Sequence, residues 1–215
     1  MTDRGILVIA PKGDVQGIGD LRAAANGFRV QVLDGVVTAR EALAQISSGR
    51  YAVVHFAGHG WQSGLQASDG MIEERYLELA MQEGGPELVI LNSCGSIHMA
   101  AQLYRAGAAP RVIGWRQDVE DEVAIEWATA FYRSMAMGSD YWEAFAASVD
   151  LMDDRRPGFE EPILLNGRIT NLEQQVGAIQ ERLDGRAIVP HWLLGLALAA
   201  ALAVALAVAV LTVVV

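Results

Sequence analysis

Continuous apolar runs alternate with helical patterns over about the first 165 residues of the chain. The runs Ala52-Val-Val and Leu88-Val-Ile-Leu contain no polar position, which is typical of strands that are covered on both faces. Strands are predicted at residues 5–10, 28–33, 51–58, 87–93 and 111–115, with a further strand from Pro162. Helices are predicted at residues 38–48, 73–83, 97–106, 119–137 and 140–153. This alternation predicts an α/β fold in which helices flank a mainly parallel central sheet.

The last 24 residues, from Trp192 to Val215, carry no charge. A helix of this length rises about 36 Å, and the hydrocarbon core of a bilayer is about 30 Å thick. One transmembrane helix is therefore predicted at residues 192–215. The apolar run that follows Met1 is too short for a signal peptide. We therefore expect a tail-anchored, single-pass membrane protein whose N-terminal domain lies in the cytoplasm.

The stretch before the predicted anchor has an apolar pattern of its own. Its apolar positions are spaced by 3, 4, 3 and 4 residues, as in the seam of a coiled coil: Ile169, Leu172, Val176, Ile179 and Leu183. An amphipathic juxtamembrane helix is predicted over residues 166–191. Two roles stay open for it, packing back on the domain or self-association of anchored chains. The predicted domains are thus residues 1–165, 166–191 and 192–215.

The charges and the cysteine count exclude some classes of protein. There are 16 Lys and Arg against 26 Asp and Glu, a net charge of −10, which argues against a surface for nucleic acid or anionic lipid. The single cysteine, Cys94, excludes an intramolecular disulfide. What remains for this cysteine is burial as a small apolar residue, metal binding or catalysis.

His59 and Cys94 follow two of the predicted buried strands, and each is itself followed by a glycine. In open α/β sheets, ligands bind in the crevice outside the carboxyl ends of the strands. If the two strands are parallel neighbours, both side chains reach the same edge, where a thiolate and an imidazole suffice for nucleophilic acyl transfer. Gly60 and Gly95 would leave bare backbone N–H groups near a developing oxyanion. The sequence thus predicts a Cys-His dyad.

Other interpretations of these residues stay open. Cys94 at the end of an apolar strand can be a buried apolar residue, and a histidine beside glycines can be structural. Zinc binding is a third interpretation, because His55, His59, Cys94 and His98 are potential ligands in two pairs with i,i+4 spacing. His55, however, lies in a predicted strand, along which four residues span about 13 Å. No metal and no cofactor are therefore expected.

Four sequence blocks follow one another in an order that is specific when they are taken together. They are Val54-His-Phe-Ala-Gly-His-Gly, Leu91-Asn-Ser-Cys-Gly-Ser, Val112-Ile-Gly-Trp-Arg-Gln-Asp-Val-Glu-Asp and Tyr141-Trp-Glu-Ala-Phe. Together they resemble the CHAT domain, a group of caspase-like cysteine peptidases whose relatives include separase, gingipain and the metacaspases. The resemblance covers about residues 1–165. It implies a caspase-like fold and peptidase activity.

The resemblance also implies a role for individual residues. It makes His59 the catalytic histidine, Cys94 the nucleophile and His55 a strand histidine that is not catalytic. By analogy with caspases, the backbone N–H groups of Gly60 and Cys94 would form the oxyanion hole. Asp121 matches a recurring acid that follows the Gly-Trp strand, and helix capping is the alternative role for this residue.

The chain departs from the family pattern beside the nucleophile. Where relatives have Cys-Glu-Thr-Gly or Cys-Glu-Ser-Gly, this chain has Cys94-Gly-Ser-Ile. Metacaspases place an aspartate two residues before the cysteine to bind a basic side chain, and here that residue is Asn92. A preference for Arg or Lys in the substrate would then depend on Asp118, Asp121 or Asp14. Asn92, Asp118 and Asp121 are the predicted substrate-binding residues.

The implied function is that of a membrane-tethered cysteine endopeptidase that cleaves a protein substrate. By resemblance, short membrane-tethered members look like effectors of bacterial conflict, antiphage-defence or programmed cell-death systems. A separate sensor or activator protein would switch on cleavage. Two alternatives stay open: a catalytically inactive caspase-like scaffold that recruits partners at the membrane, and a membrane-disrupting effector that acts through its clustered tail.

Overall fold

The structure is a computed structural model that describes residues 4–11, 18–61 and 64–166, with only the backbone of Trp61. Asp14 and the two segments predicted after residue 166, the juxtamembrane helix and the transmembrane helix, lie outside the described residues. Within the described ranges, no helix is long and apolar enough to cross a membrane.

Strands make up two sheets. In chain order the strands are β1 Gly5–Pro11, β2 Val30–Gly35, β3 Tyr51–Ala57, β4 Gly60–Trp61, β5 Gly64–Ala67, β6 Gly70–Glu73, β7 Leu88–Asn92, β8 Arg111–Trp115 and β9 Pro162–Asn166. The central sheet has the order β2-β1-β3-β7-β8-β9, and a small second sheet has the order β4-β5-β6. All neighbours in the central sheet are parallel except β8 and β9, which are antiparallel. The predicted α/β fold with a mainly parallel sheet is therefore confirmed.

Helices cover both faces of the central sheet. In chain order they are α1 Ile18–Ala24, α2 Ala39–Ser47, α3 Glu74–Gly84, α4 Ile97–Arg105, α5 Asp121–Ala136 and α6 Tyr141–Arg155. Buried side chains of α2, α3 and α4 form one core with the sheet, and those of α1, α5 and α6 form another on the opposite face. Strands β1 and β3 are buried along their whole length, which explains why their sequences are almost entirely apolar.

Gly114 lets the helix that follows the cysteine lie close to the sheet. A Cβ at this position of β8 would be 2.9 Å from the Cβ of Ala100 on α4 and 3.2 Å from the Cα of Ile97. Only glycine permits this separation without a shift of the helix. The close packing fixes α4, and with it the start of the helix just after Cys94.

The small sheet is one of two features that the sequence patterns did not predict, together with the short helix α1. Strands β5 and β6 form a hairpin whose two-residue turn is Ser68–Asp69. The Ser68 hydroxyl accepts a hydrogen bond from the Val37 N–H at 2.9 Å. A carboxylate oxygen of Asp69 accepts one from the Ala39 N–H at 2.7 Å, at the first residue of α2. The hairpin is thus joined at its tip to the loop between β2 and α2.

Candidate active site

Two adjacent strands bring His59 and Cys94 to one edge of the central sheet. Strands β3 and β7 pair in parallel, and their last aligned residues are Ala57 and Asn92. His59 and Cys94 each lie two residues beyond this pair. The structure therefore places both residues at the carboxyl edge of the sheet, as the two apolar runs led us to expect.

The two loops that carry these residues touch each other. We call residues 58–60 the His59 loop and residues 93–96 the Cys94 loop. The Gly58 N–H donates a hydrogen bond to the carbonyl of Asn92 at 3.4 Å. A Cβ on Gly60 would lie 2.6 Å from the hydroxyl oxygen of Ser93 and 3.1 Å from its Cβ. The residue after the histidine thus lies directly against the residue before the cysteine, and only glycine fits there.

The thiol of Cys94 is partly buried beneath the segment that follows β8. Its Sγ donates a weak hydrogen bond to the carbonyl of Val119 at 3.6 Å. The neighbouring N–H of Gly95 donates to the carbonyl of Gln117 at 3.0 Å. Gly95 has a φ of 60°, a left-handed conformation that favours glycine. Residues 116–120 therefore form one wall beside the sulfur atom.

Cys94 itself lies outside the helix that follows it. Helix α4 begins at Ile97, after the non-helical turn that contains the cysteine. His98, in the first turn of α4, is exposed. His98 could act as a base for Cys94 if both lay one turn apart on a helix that began at the cysteine, and the start of α4 at Ile97 excludes that arrangement.

The ladder between β4 and β5 sets the direction of the Gly60 N–H. The carbonyl of His59 accepts a hydrogen bond from the Gln66 N–H at 3.0 Å. Residues 59 and 66 are thus a hydrogen-bonded pair, and the next pair, Gly60 and Leu65, is a non-hydrogen-bonded one. The Gly60 N–H consequently points away from β5. His59 is exposed at this edge of the sheet.

His55 occupies the interior of the same strand. Its side chain is fully buried, its Nδ1 is 3.0 Å from the Tyr132 hydroxyl, and the two rings are stacked. Burial lowers the pKa of His55 from 6.5 to about 3, so the ring is neutral at physiological pH. Its position agrees with the interpretation that His55 is not the catalytic histidine. Among the residues that the structure describes, no cluster of three potential metal ligands occurs.

Asn92 requires a correction, because its side chain points into the protein and not towards a substrate. It is buried, and its amide oxygen accepts a hydrogen bond from the indole N–H of Trp115 at 2.7 Å. Its amide nitrogen donates to the carbonyl of Ala124 at 3.1 Å. The amide is thus engaged at both ends inside the protein. The expectation that it contacts substrate rested on its spacing from the cysteine, and spacing does not fix side-chain direction.

Asp121 is the first residue of α5 rather than its capping residue. The capping position belongs to Glu120, whose side chain makes no capping hydrogen bond. Carboxylates in the first turn of a helix interact favourably with the helix dipole. The capping alternative for Asp121 is therefore wrong, and this exposed residue directly follows the segment that covers the thiol.

An open cavity of about 390 Å³ adjoins this segment. It is lined by Asp118, Val119, Glu120, Val123, Arg156, Pro157, Gly158, Phe159 and Glu160. The Arg156 guanidinium pairs with Glu122 at 3.1 Å and with Glu126 at 3.1 Å, so its positive charge is balanced. Three carboxylates remain at the cavity, those of Asp118, Glu120 and Glu160. The substrate-binding residues predicted from the sequence do not include Glu120 or Glu160. Glu160 reaches the cavity only through the turn between α6 and β9.

The sequence of residues 10–163 matches the family model described as the CHAT domain. Among curated proteins, none matches the sequence significantly.

Solved structures of cysteine proteases have a similar fold. The secreted C11 cysteine protease "iotapain" from Bacteroides thetaiotaomicron has a TM-score of 0.60 at 13% identity, over 84% of this chain and 71% of that chain. A secreted C11 cysteine protease from the same organism, in complex with an irreversible peptide inhibitor, has a TM-score of 0.51 at 11% identity, over 72% and 60%. The Arg-specific cysteine proteinase gingipain R has a TM-score of 0.50 at 11% identity, over 69% and 42%. This chain thus spans less than two thirds of two of these three chains. At such identities the likeness concerns the fold.

Proposed function

We propose that this chain, which belongs to the CHAT domain family, is a cysteine peptidase. Cys94 and His59 would form its catalytic dyad. The observation that carries this proposal is the contact between the His59 loop and the Cys94 loop at the carboxyl edge of two paired strands. A thiol and an imidazole on touching loops are the minimum set for acyl transfer.

The reaction proceeds through two steps on these groups. The Cys94 thiolate attacks the carbonyl carbon of the scissile peptide bond, and the resulting oxyanion is held by the backbone N–H groups of Gly60 and Cys94. The imidazolium of His59 gives its proton to the leaving amine as the C–N bond breaks, which leaves a thioester on Cys94. Water, deprotonated by His59, then attacks the thioester and releases the carboxylic acid and the thiol. The direction of the Gly60 N–H, away from β5, supports its part in this scheme.

The substrate side of the site is proposed to be the cavity beside residues 116–120. Asp118 lies on the segment whose Val119 carbonyl accepts the hydrogen bond of the thiol, and Asp121 follows that segment as the first residue of α5. With Glu120 and Glu160 they give this side of the site a negative charge, which attracts a basic peptide segment. A preference for Lys or Arg near the cleaved bond follows. Asn92 is no longer part of the proposed substrate contacts.

The cellular role is proposed from the sequence alone. Residues 192–215 would anchor the chain to a membrane, with the peptidase domain in the cytoplasm, and the apolar spacing of residues 169–183 would allow self-association. An effector of a bacterial defence or cell-death system, switched on by a separate sensor protein, is the role that fits such an anchored peptidase.

Labelling of the full chain tests the dyad. Wild type, Cys94→Ala, His59→Ala and the control His98→Ala, which also removes an exposed histidine, are treated with a panel of peptidyl acyloxymethyl ketones. These ketones differ in the residue at the reacting position: Arg, Leu or Asp. We expect wild type and His98→Ala to be labelled at Cys94, fastest by the Arg ketone, and His59→Ala to be labelled about 10²–10⁴ times more slowly.

Two results would contradict the proposal. If no ketone labels wild type faster than the urea-unfolded chain, Cys94 is a structural thiol and the inactive scaffold is the better interpretation. If replacement of residues 192–215 by an unrelated anchor abolishes toxicity in cells while labelling persists, the effect of the protein comes from its tail and not from peptide cleavage.

A further inference from the structure

We propose that Asn92 is a positioning residue that fixes the distance between the Cys94 loop and the His59 loop. This inference rests on the proposed function, because it concerns the geometry of the dyad. Asn92 is the last residue of β7, two residues before the nucleophile. Its main chain and its side chain make contacts with three different parts of the site.

The main chain of Asn92 contacts the histidine side. Its carbonyl accepts the hydrogen bond of Gly58, the residue just before His59, at 3.4 Å. This contact follows the last aligned pair of β3 and β7, where the regular ladder ends. The position of the His59 loop thus depends on where the backbone of Asn92 lies.

The side chain of Asn92 holds that backbone in place from the other direction. Its amide oxygen receives the Trp115 indole N–H at 2.7 Å, and its amide nitrogen reaches the Ala124 carbonyl on α5 at 3.1 Å. Both contacts are buried, where a hydrogen bond has no competition from water and the loss of one partner is costly. The end of β7 is therefore connected to β8 and to α5 by a single side chain.

Trp115 also holds the far end of the Cys94 loop. Its backbone N–H donates to the hydroxyl of Ser96 at 3.0 Å, and that hydroxyl donates to the carbonyl of Leu91 at 2.8 Å. One tryptophan is thus hydrogen-bonded to a residue before the nucleophile through its indole and to a residue after it through its backbone. The contact at Asn92 acts on both loops, whereas the contact at Ser96 acts on the Cys94 loop alone.

An amide is the side chain that this position requires. It must accept a hydrogen bond from an indole N–H and donate one to a carbonyl, and a side chain of this length that does both is asparagine. An aspartate keeps the first contact and places a carboxylate against the Ala124 carbonyl. This requirement explains why the residue two positions before the nucleophile is neutral here and faces inward.

The test compares Asn92→Ala, Trp115→Phe, Ser96→Ala and the double variant Asn92→Ala/Trp115→Phe in the full chain. Ser134→Ala is the matched control, because it removes another hydroxyl contact, 2.9 Å to Ser139, at the opposite end of α5. Each variant is treated with iodoacetamide, which needs an accessible thiolate but no bound peptide, and with the Arg acyloxymethyl ketone, which also needs a peptide bound in line with the nucleophile. Hydrogen exchange of the backbone is followed in both loops.

We expect Asn92→Ala to lower the ketone rate about ten- to a hundredfold while the iodoacetamide rate changes about twofold or less, since small displacements of reacting groups are costly. Exchange should rise in the His59 loop and the Cys94 loop for Asn92→Ala, and only in the Cys94 loop for Ser96→Ala. The double variant should be no slower than Asn92→Ala, because both substitutions remove one shared hydrogen bond.

Equal effects of Asn92→Ala and Ser134→Ala on the ratio of the two rates would overturn the inference, since they would indicate a general loss of stability. The inference would also be overturned if the hydrogen exchange of the His59 loop were the same in Asn92→Ala as in the wild type. If wild type reacts with no ketone, the peptidase function fails, and the exchange measurement alone then decides whether Asn92 positions the two loops.

Discussion

Two histidines four residues apart, one within strand β3 and one just beyond its end, have completely different surroundings. His55 lies in the middle of the strand, fully buried and stacked on Tyr132, and burial lowers its pKa to about 3. His59 lies beyond the end of the strand and is exposed. The first ring contributes to packing, and the second stands where a substrate can reach it. Position along a buried strand, and not residue type, separates the two roles.

The difference extends to the backbone around each histidine. Near His55 the strand is paired on both sides, with Val8 of β1 and Ile90 of β7 as neighbours. At His59 the regular pairing has ended, and the chain turns into the small sheet with its carbonyl bonded to Gln66. The interior of β3 supplies rigidity. Beyond its carboxyl end, the chain places the exposed His59 and the Gly60 N–H, which points away from β5, at the edge of the sheet.

Replacement of each histidine by alanine should separate the two roles most clearly. His59→Ala should lower the ketone-labelling rate about 10²–10⁴-fold and leave the free energy of unfolding nearly unchanged. His55→Ala should cost about 2–5 kcal/mol of stability through the cavity it leaves, with a normal labelling rate per folded molecule. Urea unfolding and labelling of the same samples measure both quantities. The comparison breaks down if His55→Ala, once corrected for the unfolded fraction, labels as slowly as His59→Ala.

Acid should destabilise the fold through the interior histidine, His55. Burial holds the folded pKa of His55 at about 3, below its ordinary value of 6.5, so below pH 6.5 the unfolded chain takes up a proton that the folded chain does not. Stability is therefore lost as the pH falls from 6.5 towards 3. At pH 4.5 this loss amounts to about 2–3 kcal/mol.

The measurement is urea unfolding between pH 7 and pH 4.5 for wild type and His55→Phe, which keeps a ring in the site. The wild type should lose more stability than the variant over this range, although carboxylates with a lowered pKa, such as Glu126 beside Arg155, contribute to both curves. Parallel curves would show that the buried ring gains its proton without unfolding.

A methyl group at Gly60 should disturb the carboxyl end and leave the interior intact. The added Cβ would lie 2.6 Å from the Ser93 hydroxyl oxygen, so Gly60→Ala should push the two loops apart and slow ketone labelling about tenfold. Ser93→Ala removes that oxygen, and the double variant should recover part of the rate. Labelling rates of the two single variants and the double variant measure this coupling. A double variant that is slower than Gly60→Ala would exclude the contact as the cause.

The smallest effect is expected from the charges around the cavity. Glu120→Gln and Glu160→Gln should each lower the second-order labelling rate of the Arg ketone about two- to fivefold, because exposed ion pairs contribute only about 0.2–1 kcal/mol. The Leu ketone should be unaffected, and the effect should shrink at high salt. Glu83→Gln on α3, which removes an exposed carboxylate elsewhere, is the control. Equal losses for the Arg and Leu ketones would show that charge does not select the substrate.

The sequence was most informative where burial leaves few choices. The unbroken apolar runs at β3 and β7 predicted two covered strands, and covered parallel neighbours must deliver His59 and Cys94 to one edge. The sequence predicts a strand at Pro162 but not its direction. In the structure this strand is antiparallel to β8. Such a strand pairs through its backbone, which leaves little trace in a short apolar sequence.

Side-chain direction and short hairpins were harder to infer. The inward turn of Asn92 depends on Trp115 and Ala124, which are distant in sequence and come together only in the folded domain. The hairpin of β5 and β6 carried only a partial signal, because its turn residues are Ser68 and Asp69 and the Asp69-Gly70 pair is displaced by one residue from the usual two-residue pattern. Strands of four residues, moreover, give only a weak periodic pattern. Glu160 could not be assigned, since its place at the cavity depends on a turn after α6.

The tip of that hairpin has a consequence for engineering the protein. Surface turns with small polar residues are ordinarily the sites where proteases cut and where insertions are accepted. The Ser68–Asp69 turn is different, because its side chains hold the Val37 and Ala39 N–H groups. A tag inserted there would detach the start of α2 and pull on the strand that begins beside His59. The turn around Gly138, between α5 and α6, is the safer place for a reporter, since it lies at the opposite end of α5 from the cavity.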